Sequence, residues 1–410
     1  MAAITSSNLS NALKKLYAGQ KLEKIVFNEL SRPFLTRVKK MTSFQGEKYP
    51  IPVMYEDVGG GSNTFSTAQS NVAAMALATF EIDVKQYYRV LQVNTLAMRR
   101  SKSDLGSFLR KQEIQTTSIL NALANDLEKS LYRTSDGHIG VIAAGITEAS
   151  TTCTLATAGD AKNFNKGDKI VAAADAASAV ESDSVGVLTI AAVNYSTGVL
   201  TTSANMSTAS WAAGNLLFRQ GDYVSASDRN RISGLADWIP STQPTSGDSF
   251  FGQDRSSNPT RLAGYAYSGS LSDIENSILK AAVAQADFAN ATPDVMFCDY
   301  TMWGDLAKEM GVDVRRKPRD GKGGFENLYI AGPRGIIEIV PATYCQPNTG
   351  WLLEMDSWEL VSAGGPVEIF ADDGMTVQRV YNADALEVRA VSYPQLACYR
   401  PANNCQISFS

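Results

Sequence analysis

One histidine, five cysteines and a few charged runs are the chemistry that this chain of 410 residues offers. His138 sits in the stretch SDGHIG, between Gly137 and Gly140. Histidine is the usual acid–base group and metal ligand near neutral pH, so a Ser-His or Cys-His nucleophile would have to use this residue. No G-x-S-x-G elbow is present to partner it. His138 therefore reads as an ordinary loop residue. Cys153, Cys298, Cys345, Cys398 and Cys405 are odd in number, widely spread and free of C-x-x-C spacing. That argues against a disulfide framework or a zinc site and fits reducing surroundings.

The remaining candidates are equally plain. RRKPRDGKGG at 315–324 is not a phosphate-binding P-loop, because Gly323 follows Lys322 and the leading glycine is missing. Gly321, Gly323 and Gly324 do not make G-x-G-x-x-G either, so the run reads as a mobile basic loop. ADDG at 371–374 lacks the further carboxylates of a calcium loop and reads as a turn. Glycoside hydrolysis needs two carboxylates facing each other across the scissile bond. Glu56/Asp57 and Asp372/Asp373 are sequence neighbours in loops instead. Tyr and Trp are scattered singly, so no aromatic-and-basic nucleic-acid platform is visible. The inventory supports no enzyme, no metal and no cofactor.

Composition is that of a folded chain of two or three domains, with 44% hydrophobic and 19% charged residues. No apolar run is long enough to cross a membrane as a helix, and MAAITSSNLSNALKKLYAG lacks the pattern of a secretory signal. The net charge of −5 hides an asymmetry. Residues 1–40 hold eight Lys/Arg against Glu23 and Glu29, whereas 141–222 hold four basic and seven acidic residues. A basic arm on an acidic protein points to an acidic surface, protein or nucleic acid, or else is a solvated helix face.

The elements that could position anything useful are few and distinctive. Leu9, Leu13, Leu16, Leu22, Ile25 and Val26 predict two short amphipathic helical pieces that end at Ser31-Arg32-Pro33. GEKYPIPVMYEDVGGGSNTFSTAQSN, 46–71, has two extended arms around Gly59, Gly60 and Gly61. Pro50 and Pro52 confine the first arm to a sheet edge. Arms of this length make a ribbon of about 40 Å, which alone in water is marginally stable. Residues 78–94 predict one long half-buried strand whose phase slips after Tyr87-Tyr88, as at a bulge or bend. Residues 101–133 predict a helix of about 50 Å, capped by Ser101 and Asp104, with one leucine stripe too narrow for full burial.

Residues 141–220 shift to Ala, Thr, Ser and Gly, with short β runs between turn signals, and predict a small all-β unit, a sandwich or barrel. Helices follow at 271–290, with Ser270 or Ser272 as cap, and at 299–310, capped by Asp299. Strands are predicted at DVMFC (294–298), 335–341, 351–355, 366–370 and 385–393. The whole is α+β with mixed antiparallel sheets.

This order of elements resembles the major capsid proteins of tailed bacteriophages with the Hong Kong 97-like fold. RISGLADWIPST…FFGQDRSSNPTRLAG (231–264), PDVMFCDYTMWGDLAKEMG (293–311), GIIEIVPATYC…GWLLEMDSWEL (335–360) and ALEVRAVSYPQLACYRP (385–401) are similar to successive segments of that family. The resemblance covers nearly the whole chain. It implies an N-terminal arm (1–45), an extended β-ribbon loop (46–79) and a peripheral domain (80–140) with a spine helix at 101–133. An inserted β-rich domain (141–222), an axial domain (223–345) and the axial return with the closing peripheral strands (346–410) complete it.

The function so implied is a structural subunit that self-assembles into an icosahedral head shell around packaged double-stranded viral DNA. An encapsulin-type compartment shell and a tail-tube subunit are the alternatives. The implied partners are other copies in hexamers and pentamers, a portal, a separate scaffolding protein and a decoration protein, with packaged DNA nearby and no membrane. Family members often begin with a long helical scaffolding segment; here the arm starts close to Met1, which points to a separate scaffolding protein or none. The place is the virion, assembled in the host cytoplasm, with no cofactor. The ribbon would lie over a neighbouring subunit, its glycines allowing it to flex. The candidate inter-subunit residues are Lys48, Tyr55, Glu56, Asp57, Gly59, Gly60, Gly61, Phe65, Arg99 and Arg100. Some members crosslink a loop lysine to an asparagine; Lys48 is the lysine of this ribbon, and the reading is against a crosslink.

Overall fold

The computed structural model describes residues 32–95, 111–143, 150–175, 186–206, 211–225, 228–310, 328–371, 375 and 377–410. The expectations for 1–31, for 101–110 with its capping pair, for Arg99 and Arg100, for 315–324 and for 372–374 lie outside these residues.

The first described element is a short helix, α1 (Pro33–Arg37), with proline in the first turn. That position needs no N–H and is suited by the ring's fixed φ. β1 (Lys39–Met41) and β2 (Tyr49–Glu56) follow, then a short helix α2 (Phe65–Ser70), β3 (Ala76–Ile82) and β4 (Tyr87–Asn94). The predicted single strand over 78–94 is thus two. β3 pairs with β2 in the ribbon, and β4 pairs with a strand near the C-terminus in another sheet. Of the bulge or bend that the phase slip predicts, the structure has the bend: the chain changes sheet between β3 and β4.

The spine helix α3 is described from Lys111 to Leu131. Its stripe is not narrow in effect, because every residue from Leu123 to Arg133 is buried. Asn125, Asp126, Glu128, Lys129 and Ser130 go inside with the leucines. Buried polar groups persist where they are bonded, and two of these organise the fold. Glu128 accepts the N–H of Phe34 at 3.1 Å and of Leu35 at 2.8 Å, so it holds the first turn of α1 against the spine.

Burial pushes the Glu128 carboxyl up to about 7, against these two bonds and the nearby Arg32. A carboxyl raised in the folded state contributes stability fully below its unfolded value near 4.5, and that contribution is lost as pH rises through about 7. Wild type and Glu128→Gln should therefore diverge with pH. Between pH 5 and pH 8 their difference in unfolding free energy should move by about 2.5 kcal/mol in favour of glutamine. Urea titrations at both pH values check this, and a pH-independent difference would refute it.

After α3 come β5 (Gly140–Val141), β6 (Thr152–Thr154), β7 (Lys169–Ala173), β8 (Leu188–Asn194), β9 (Val199–Thr202) and β10 (Leu216–Arg219). They form one sheet in the order β5-β10-β7-β8-β9-β6. Ile142 bridges Leu155, Ala143 N–H donates to Thr154 O at 2.9 Å and Ala156 N–H to Val141 O at 2.8 Å. These bonds join the first strand to the last, so the sheet closes as a barrel, one of the two forms the sequence left open. Its own core includes Phe164, Ile170, Leu200, Trp211 and Leu217.

Next are β11 (Tyr265–Gly269), α4 (Ile274–Ala289), β12 (Val295–Cys298), α5 (Tyr300–Glu309), β13 (Leu328–Gly332), β14 (Gly335–Pro341) and β15 (Thr349–Leu353). Asp273, not Ser270 or Ser272, precedes α4 as its N-cap, while the side chain of Asp299 caps α5 as expected by accepting Thr301 N–H at 3.0 Å. The chain ends with β16 (Trp358–Ser362), β17 (Glu368–Ile369), β18 (Gln378–Arg379), β19 (Ala385–Ser392), β20 (Pro394–Cys398) and β21 (Cys405–Phe409).

β21 was not anticipated. It enters a six-stranded mixed sheet, β11-β21-β15-β12-β14-β13, against which α4 and α5 pack. β16 lies between β1 and β20, and β19 lies between β4 on one side and the short β17 and β18 on the other. The largest core gathers Phe34, Phe80, Leu127, Trp238, Phe297 and Trp358. It ties α1, the ribbon root, the spine helix and the six-stranded sheet together.

Candidate functional site

The ribbon has two halves with different physics. At its root, Ile51, Ala78, Phe80 and Ile82 are buried, and Phe80 packs edge-on to Trp238 at 5.3 Å. Pro50 and Pro52 sit on the opposite, exposed face of β2, whose outer edge carries no partner strand among the described residues. From Pro52 to Leu77 no residue is buried. Yet this stretch carries Met54, Val58, Phe65, Val72, Met75 and Leu77, all exposed, with Phe65 at 83% and Leu77 at 61%. Met54 and Leu77 face each other across the ladder. Single exposed hydrophobics are ordinary; six large ones within 24 residues of one element are not.

Most of the residues singled out from the sequence fall here. Gly59 bridges Ala73, and Gly60 has φ +93°. A Cβ on Gly60 would lie 1.7 Å from the Asn71 carbonyl oxygen, so this glycine is required by close approach of the two arms rather than by flexing. Gly61 and Asp57 are exposed. The arm beyond the glycines is not extended as expected: FSTAQS forms α2 after Thr64. It lacks the alternation that would commit it to a strand.

Lys48 pairs with Glu81 across the ribbon at 2.5 Å, so its ammonium is engaged within its own chain. Tyr55 gives its carbonyl to Arg261, and Glu56 accepts from Asn258 at 3.1 Å. Three of the described basic residues before the ribbon also find partners in the same chain. Arg32 donates to Asn121 at 3.1 Å, Arg37 binds Glu338 through both nitrogens at 2.7 and 2.8 Å, and Lys39 pairs with Asp356 at 2.9 Å.

The body that carries the ribbon is braced by buried charge, which the sequence reading missed. Asp126 on α3 accepts Arg89 of β4 at 2.8 Å and pairs with Arg219 of β10 at 2.7 Å and Lys129 at 3.7 Å. Burial alone would push its carboxyl up, but Arg219, Arg89, Lys129 and Arg231 overturn that and hold it below the ordinary carboxylate range. Lys129 is brought down to about 7, first by burial and then by Arg219; it donates to Asn163 O at 3.2 Å and lies over the Tyr344 ring at 5.2 Å. Arg133 pairs with Asp160 at 2.6 Å. Asp126, Lys129 and Arg133, at the end of the spine and just beyond it, thus join the spine, β4 and the barrel. The only cue in the sequence was the charged set in NALANDLEKSL, inside the leucine stripe. A cleft of about 1160 Å³ opens between β4, α3 and the barrel; on its walls Asp126, Arg89 and Arg219 are held in these ion pairs, and Arg231 pairs with Asp222.

His138 does not line that cleft. Its Nδ1 lies 3.0 Å from Asp136, whose carboxyl is brought down to about 2 against burial by His138 and Thr134. All five cysteines are buried and unpaired. Burial pushes the thiols up, Cys153 to about 11 and Cys398 to about 12, so neither is a thiolate at neutral pH. Among the described residues no group of three His, Cys, Asp or Glu side chains is placed to hold a metal, and no helix is long and apolar enough to cross a membrane.

No protein-family model matches the chain, and no curated protein is detectably similar to it in sequence. Solved structures are similar over its full length. The capsid asymmetric unit of cyanophage A-1(L) matches with a TM-score of 0.56 at 12% identity, covering 99% of this chain and 98% of that one. The capsid of an empty GTA particle matches with a TM-score of 0.51 at 9% identity, covering 100% and 99%. The chain therefore has the fold of phage capsid proteins, as its order of elements led us to expect.

Proposed function

We propose that this chain is a structural subunit that self-assembles into an icosahedral head shell around packaged double-stranded viral DNA. The observation that carries the reading is the exposed apolar run between Met54 and Leu77, which no described residue of the subunit covers. On a capsid-protein fold its natural cover is another copy of the chain. In this reading Phe65, Met54 and Leu77 are the apolar contacts. Tyr55, Glu56, Asp57, Gly59, Gly60 and Gly61 shape the ribbon, and Lys48 stays with Glu81. Arg99 and Arg100 complete the candidate contact set.

The subunits form hexamers and pentamers in the virion, assembled in the host cytoplasm with a portal and a separate scaffolding protein, and a decoration protein on the outer face. The division into arm, ribbon, peripheral, β-rich and axial units belongs to the same reading. The role is structural, without catalysis or cofactor. The net charge of −5 suits a container that releases its DNA, since each Lys/Arg contact to phosphate adds salt-dependent affinity. Light scattering behind size exclusion, with electron microscopy of the same fractions, tests it. Closed shells or discrete pentamers and hexamers are expected. A monomer under every condition, with and without its genomic neighbours, would refute it.

A further inference from the structure

The ribbon's ladder is broken at one place. Met54 pairs with Leu77 and Glu56 with Ala76, leaving Tyr55 unpaired as a bulge. A bulge bends a strand and takes a backbone group out of the ladder. The freed Tyr55 carbonyl accepts Arg261 Nη1, and one residue on Asn258 Nδ2 donates to Glu56 Oε1 at 3.1 Å. Both donors come from one short rigid piece. Asn258 caps the turn Pro259–Leu262 by accepting Arg261 N–H at 3.4 Å, and Leu262 is buried beneath it.

We propose that Arg261 and Asn258 are positioning residues that set the angle at which the ribbon projects from the subunit. Packing does not set that angle beyond the bulge. A cleft of about 500 Å³ separates Pro52–Asp57 from Asp287 and Phe288 of α4 and from 399–403. Outward of Glu56 no residue is buried until Ala78. The two hydrogen bonds, with the half-buried Tyr55 side chain packed against the main core, are the described links between the ribbon and the body at the bend.

The leverage is large. Beyond the bend the return arm, residues 71–75 with the six residues of α2, reaches about 25 Å, so a change of about 12° at Glu56 moves the tip by about 5 Å. That exceeds the about 4 Å reach of an apolar contact, so a ribbon aimed wrongly misses its partner surface altogether. The inference rests on the assembly reading for its purpose but not for its geometry, and the two can fail separately.

The test measures the angle itself. Spin labels at Ser66→Cys in α2 and Lys280→Cys on α4 report the tip-to-body distance, and the five native cysteines are buried and compete little for label. Labelled protein is diluted with unlabelled protein, so that only distances within one chain are read. The parent should give one narrow distribution. Arg261→Ala with Asn258→Ala should shift or broaden it by about 5 Å, with a stability loss no larger than the about 0.5–2 kcal/mol of one lost helix cap. The same double variant should form fewer closed particles than the parent. An unchanged distribution in the double variant, or a parent distribution already broad, would overturn the inference. A clear distance change in a chain that never assembles would uphold the positioning role and defeat the proposed function instead.

Discussion

Replacing Met54, Phe65 and Leu77 together by serine is expected to abolish assembly and leave the subunit folded. These side chains are exposed in the isolated chain, so their loss removes no core contact, and surface substitutions of this kind cost within about 0.5 kcal/mol. In an assembled contact each buried side chain of this size is worth about 1.5–3 kcal/mol. Every 1.4 kcal/mol is a factor of about ten. The triple variant should therefore raise the concentration needed for assembly by at least about a hundredfold, even after allowance for incomplete burial. Light scattering over a concentration series reads that threshold, and thermal denaturation confirms the fold. Assembly at the parent's concentration would show that the apolar run is not the contact surface.

Asp126→Asn is expected to be the most damaging single change to the fold. Asparagine keeps the shape but removes the counter-charge shared by Arg89, Arg219 and Lys129, which all lie against the buried end of α3. Breaking a buried ion pair by removing one partner costs about 3–5 kcal/mol, because the remaining charge stays buried without compensation. The sign with pH is opposite to that of Glu128. The Asp126 carboxyl is held below its usual range, so its contribution is present above the unfolded value and lost as pH falls through the folded one. The gap between parent and variant should be full at neutral pH and should close in acid. Urea unfolding measures it, and hydrogen exchange should show residues 140–219 loosening first, since Arg219 is the link from the barrel. A neutral-pH loss under about 1 kcal/mol would contradict the bracing role.

Why some of this was legible in the sequence and some was not has physical reasons. GIIEIVP and the capping Asp299 read correctly because strand alternation and side-chain capping act over a few residues. The ribbon was visible as two arms about a glycine run, because proline and glycine act locally. α2 was missed because FSTAQS has no strong pattern of its own. Cys405–Phe409 was missed because a short buried strand shows little alternation and its partners, β11 and β15, lie far back in the chain. The spine's polar residues could not be assigned to burial, since the groups that make burial tolerable come from β4 and β10. Arg261 and Asn258 were hidden for the same reason. Their acceptors lie some two hundred residues earlier, and nothing in NPTRL announces them.

The most direct test of the central claim is a photo-crosslinker at position 65, in place of Phe65, the most exposed of the six apolar ribbon residues. Irradiating assembled particles should link this position to a second copy of the chain and give covalent dimers and higher ladders, with mass spectrometry placing the bond between two subunits. Irradiated particles that yield only unlinked or internally linked monomer would show that the ribbon tip does not touch a neighbour, and the account of how the shell is held together would fall.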